Sequence, residues 1–112
     1  MLRKFLLILL LVPMHAWAVY SCNVTVSNVL VYQDGSVNVF HSGRNDFTVI
    51  CNLATERNQV APATCAMWTG MLLAIKKKGG TATFYFNGDG SCATMGTYSS
   101  APTPVYVGDG SW

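Results

Sequence analysis

Along the stretch from Val24 to Val31, apolar residues fall at alternate positions, Val24 and Val26 and then Val29 and Val31, with the parity shifting across Ser27 and Asn28. A period of two predicts a half-buried strand, and a bulge at the shift would return the second pair of valines to the inward face. Asp34-Gly35 predicts a hairpin turn into a second strand, Ser36 to Phe40, where Val37 and Val39 alternate with Asn38 and Phe40. A second turn at Ser42-Gly43-Arg44-Asn45 leads to a third strand, Phe47 to Leu53. Its expected faces are Phe47, Val49, Cys51 and Leu53 on one side and Thr48, Ile50 and Asn52 on the other.

The apolar period is lost from Ala54 to Val60, which predicts a loop. Pro62 suits the first turn of a helix, and Trp68, Leu72 and Ile75, with Met67, Met71 and Ala74 beside them, recur at helical spacing. The helix should end at Gly79-Gly80, behind three lysines, Lys76, Lys77 and Lys78, that complement its dipole. Strand character resumes from Thr81 to Phe86 and breaks at Asn87-Gly88-Asp89-Gly90. A further irregular strand is expected from Cys92 to Tyr98, a loop from Ser99 to Pro104, and a short last strand from Val105 to Val107. The chain therefore reads as mostly β with one helix. Its β-β-β-α-β-β order is that of a small five-stranded OB-like barrel plugged by the helix between the third and fourth strands. An open α+β sheet with the helix across one face would give the same string.

The amino end follows another pattern. Arg3 and Lys4 precede an unbroken apolar run from Phe5 to Val12, and Ala16-Trp17-Ala18 offers small residues where a signal peptidase reads. Residues 1–18 are expected to be a signal peptide, leaving 19–112 as a single disulfide-stapled OB-like domain, secreted or periplasmic. The apolar run is about half of the roughly 20 residues needed to cross a bilayer, so no membrane span is expected. The leader holds two of the seven basic residues, and the five that remain balance the five acids. A mature domain without net charge has no long-range pull on nucleic acid. A domain of this size buries only about 60 to 65 per cent of its unfolded surface, so covalent staples matter.

The four cysteines, Cys22, Cys51, Cys65 and Cys92, lie in the mature part and read as two disulfides, with three connectivities open. Cys51 sits in an apolar strand and Cys65 at the start of the helix, joined by a polar connection. That favours Cys51 with Cys65 and, by elimination, Cys22 with Cys92. Zinc fails on spacing, since there is no CxxC pair and His41 is the one mature histidine. No metal and no cofactor is expected.

Candidate chemistry is sparse. His41 with Ser42 or Asp46 could begin a hydrolase triad, but no nucleophile turn accompanies them, and the acids sit in or beside loops, so no enzyme is expected. Asn87-Gly88-Asp89-Gly90-Ser91 carries one carboxylate and reads as a turn rather than a calcium loop. Asn23-Val24-Thr25 fits a glycosylation sequon. For recognition the chain offers aromatic and amide side chains near strand ends: Tyr32, Tyr85, Asn87, Tyr98, Tyr106 and Trp112. Such residues suit sugars or another protein.

Several of these features together resemble the B subunits of bacterial AB5 toxins, in particular the subtilase cytotoxin and pertussis-like group. They are the leader, Ser27-Asn28-Val29-Leu30-Val31, the pair Cys51 and Cys65, the helix that follows, and the strand ending Phe84-Tyr85-Phe86-Asn87. The resemblance implies an OB fold, a ring of copies beside a toxic or enzymatic partner subunit, and binding of sialylated glycans on host cells. By position Ser27 is similar to the family's sugar-contacting serine, whereas Asn87 stands where the family carries a lysine. The expected function is an exported, non-catalytic module that recognises a glycan or host cell-surface receptor, with Ser27, Tyr85 and Asn87 as ligand-binding residues. The alternative is a periplasmic inhibitor or immunity-type protein that blocks a partner enzyme.

Overall fold

The computed structural model describes residues 18–110; nearly all of the expected leader, and Trp112, lie outside the described residues. The first strand, β1 (Val19–Val31), starts earlier than the valine alternation suggests, because Cys22 extends the buried set of Val24 and Val26 while Ser21, Asn23 and Thr25 face out. Its first half pairs antiparallel with β4 (Thr81–Asn87), from Val19 opposite Asn87 to Thr25 opposite Thr81. Its second half pairs with β2 (Ser36–His41), ending with Val31 opposite Val37. The register shifts between Val26 and Asn28, where β1 changes partner, which is the expected bulge. The bulge returns Val29 to the core but not Val31, which is 55% exposed beside the hairpin turn.

With β3 (Asp46–Asn52) beside β2 and β5 (Tyr106–Asp109) beside β4, the five strands form one antiparallel sheet in the order β3-β2-β1-β4-β5. The sheet is open, with β3 and β5 at its edges. This mostly β architecture with a single helix is compatible with an OB-like fold, and in hydrogen bonding it is the open-sheet alternative rather than a closed barrel. The helix α1 (Pro62–Lys78) has Pro62 at its start and Gly79 in the left-handed conformation at its end, where the Gly80 N–H bonds the Ile75 carbonyl at 3.0 Å. Cys65, Trp68, Leu72 and Ile75 face the sheet; Met67, one of the flanking residues, is instead 71% exposed.

The expected alternation of β3 fails. Thr48, Val49, Ile50 and Cys51 are all buried. A second bulge sets Cys51 opposite Val37 and Val49 opposite Asn38, leaving Ile50 unmatched, and the chain after β4 folds back over this strand. There the Arg44 guanidinium donates to the Gly96 carbonyl at 3.0 Å, and the Thr48 hydroxyl meets the buried Met95 sulfur at 3.5 Å. Cys92 to Tyr98 is thus a turn and a packed coil, not a strand, followed by a 3-10 turn at Tyr98–Ser100. Two disulfides hold the parts together: Cys51–Cys65 joins β3 to α1, and Cys22–Cys92 joins β1 to the chain beyond β4. Such bonds persist in oxidising compartments. Among the described residues no helix is long and apolar enough to cross a membrane.

Candidate functional site

Asn87 is the last residue of β4 and is exposed, and two residues back Tyr85 stacks on Tyr106 with ring centroids 4.9 Å apart. Ser27 is also exposed, but at the bulge of β1. Asn87 pairs with Val19, and Ser27 lies eight residues further along β1, a strand path of roughly 25 Å at about 3.3 Å per residue. The three residues expected to share a ligand therefore divide: Tyr85 and Asn87 lie at one end of the β1–β4 ladder, and Ser27 lies beyond its other end.

Beside Asn87 opens a cleft of about 360 Å³. Asn58, Gln59 and the buried Val60 border it from the loop before α1, and Thr103, Pro104 and Val105 from the run into β5. Residues 57–60 form a two-residue hairpin. Arg57 and Val60 exchange backbone hydrogen bonds of 3.1 and 2.9 Å, and Asn58 and Gln59 between them have φ of 46° and 72°. Two successive left-handed residues make a type I′ turn, for which Asn-Gly is the favoured pair. Asn tolerates the first position. Gln at the second carries a Cβ penalty of about 1 to 2 kcal/mol that Gly would not.

Three interactions hold the turn against the chain that lines the opposite wall. The Asn58 Nδ2 donates to the Thr103 hydroxyl at 2.8 Å. The Arg57 Nη2 donates to the Tyr98 and Ala101 carbonyls at 3.1 and 3.3 Å. Tyr98, which accepts this bond, is itself left-handed, with φ of 49°. On the sheet side, the Val105 N–H donates to the Tyr85 carbonyl at 2.7 Å and carries the β4–β5 ladder to the rim. The cleft thus presents three primary amides and a hydroxyl over a floor of Val60 and Pro104, and none of its lining residues is ionisable. An amide offers donors and an acceptor at once, as does a hydroxyl.

The lysines stand elsewhere. Lys78 borders a second groove, of about 390 Å³, with Met71, Ile75, Thr81 and Asp109. Thr81 is six residues from Asn87 on β4, about 20 Å at strand rise. His41 is buried and its Nε2 lies 3.3 Å from the Thr48 hydroxyl, whereas the Ser42 hydroxyl accepts the Thr25 N–H at 3.0 Å, so the geometry does not pair His41 with Ser42. Burial, with the Arg44 charge adding to it, pushes the His41 imidazole down to about 4. Among the described residues no three His, Cys, Asp or Glu side chains gather as a metal site.

Asn58, Gln59 and Thr103 were not singled out by the sequence pattern. Asn58 and Gln59 fall in a stretch without period, and Gln in place of Gly hides the hairpin. No protein-family model, no curated protein and no solved structure matches the chain.

Proposed function

We propose that this protein is an exported, non-catalytic binding module that recognises a glycan on a cell-surface receptor through the cleft at the end of β4. The observation that carries the reading is the gathering of Asn58, Gln59, Asn87 and Thr103 around one cleft, the first two on a turn held in a costly left-handed conformation. Strained residues persist where the surrounding structure over-determines them, and they collect at ligand sites. The half-buried Tyr85 and Tyr106, stacked beside the rim, add rigid amphipathic surface of the kind sugars use. The disulfides and the expected leader suit a chain that works outside the cytoplasm.

Ser27 is not part of this proposed site, since it stands too far along β1 to share a ligand of one or two sugar rings with Asn87. The test is a cell-surface binding assay with the disulfide-bonded chain. Asn87→Ala should weaken binding about tenfold, the loss expected for a hydrogen-bonding pair, and Ser27→Ala should leave it unchanged. Loss on Ser27→Ala with retention on Asn87→Ala would move the site to the bulge of β1 and overturn the reading.

A further inference from the structure

Gln59 is the residue least suited to its backbone in the 57–60 hairpin. It holds φ of 72° at the position where such turns take glycine. Its side chain is exposed and lines the cleft, and neither it nor the Asn87 side chain hydrogen-bonds to another described residue. Nothing within the fold therefore uses the Gln59 amide, while the fold bears its conformational cost.

The chemistry of the walls narrows what such an amide could meet. Asn58, Gln59, Asn87 and Thr103 each combine donor and acceptor atoms. A sugar hydroxyl also donates and accepts and so matches both kinds of atom on these walls, whereas a carboxylate only accepts, leaves the amide and hydroxyl oxygens unmatched, and is best met by a cation. The guanidinium of Arg57 turns its Nη2 to the Tyr98 and Ala101 carbonyls and is not among the residues that line the cleft, and the lysine group lies at the far end of β4. Resting on the glycan reading above, we infer that the cleft takes an uncharged saccharide residue, not a sialic acid, and that Gln59 is a specificity-determining contact to its hydroxyl or acetamido groups.

The experiment is an array of oligosaccharides ending in galactose, glucose or N-acetylglucosamine, alongside the same chains capped with sialic acid. It is probed with the full disulfide-bonded protein and with Gln59→Gly and Asn87→Ala. Gln59→Gly separates the roles, because it relieves the turn while removing the amide. The expected result is binding to neutral termini, a loss of about tenfold or more in affinity for Gln59→Gly, and a rise in Tm of a few degrees for the same variant. Binding restricted to sialylated chains, still abolished by Asn87→Ala, would overturn the neutral assignment and leave the cleft in place. Unchanged affinity in Gln59→Gly would remove Gln59 from the site. Binding to no glycan at all would overturn the functional reading together with this one.

Discussion

His41 is the clearest case of a single side chain whose surroundings set a measurable property. It is sealed among Phe84, Thr48 and the turn that follows it, and its imidazole is held neutral, pushed down from 6.5 to about 4. The unfolded chain takes up a proton near pH 6.5 that the folded chain refuses until about pH 4. Its contribution is therefore fully present above about pH 6.5, is lost progressively as the pH falls, and levels off below about 4. Urea unfolding across that range should show stability falling by no more than about 3 kcal/mol. His41→Gln should flatten the part between pH 6.5 and 5, where carboxylates hardly titrate. A parent curve already flat there would contradict the buried, neutral assignment.

What could be read at this scale followed chemistry rather than position. The amide of Asn87 and the ring of Tyr85 stood out because their types suit recognition at a strand end; the fold sets Asn87 on the wall of a cleft, while Tyr85, two residues back on β4 and stacked on Tyr106, is not among the residues that line it. Ser27 came from a resemblance, and the same strand that carries it away from Asn87 shows why a short matching segment does not place a side chain in three dimensions. Gln59 was illegible because its meaning lies in a φ angle, and glutamine is an unusual residue for that angle.

The elements were legible where period and punctuation agree. The helix runs from Pro62 to the αL glycine at position 79, and the bulge in β1 falls at the parity shift between Val26 and Asn28. β3 was misread because alternation assumes one buried face, and the returning chain around Met95 covers the strand as well. Asp34-Gly35 does turn β1 into β2. Gly35 has φ of 94°, and a Cβ there would come within 2.6 Å of the Asn52 side-chain oxygen and 2.8 Å of the Ala54 nitrogen. Gly35→Ala should destabilise the domain by about 2 kcal/mol or more, through the left-handed backbone and the clash with neighbouring backbone. A thermal melt reads this as a drop of roughly 8 °C or more, and an unchanged Tm would show the turn to be otherwise built.

For the molecule as a whole, the two disulfides join elements that a small core must otherwise hold by packing alone. Cys22–Cys92 spans 70 residues and Cys51–Cys65 spans 14. By chain entropy, closing such loops stabilises by about 4 and about 3 kcal/mol. Set against a typical total of about 5 to 15 kcal/mol, either loss is serious. Replacing Cys22 and Cys92 together by serine should lower the unfolding free energy by about 4 kcal/mol, and replacing Cys51 and Cys65 by somewhat less. Equal and negligible losses in chemical denaturation would mean the core suffices without them. The pairing itself was legible from an even count and from which cysteines lay in strand and helix; the open edge between β3 and β5 was not, because edge closure leaves no period in a sequence.

Recognition through the cleft at the end of β4 is the claim on which the functional account stands. The most direct measurement is an NMR titration of the isotope-labelled, disulfide-bonded chain with oligosaccharides ending in galactose, glucose or N-acetylglucosamine. The side-chain amide signals of Asn58, Gln59 and Asn87 and the backbone signals of Thr103 and Val105 should shift together and saturate, with Ser27 and Lys76 to Lys78 unmoved. Shifts centred on Ser27 or the lysines, or none across the whole set, would contradict it.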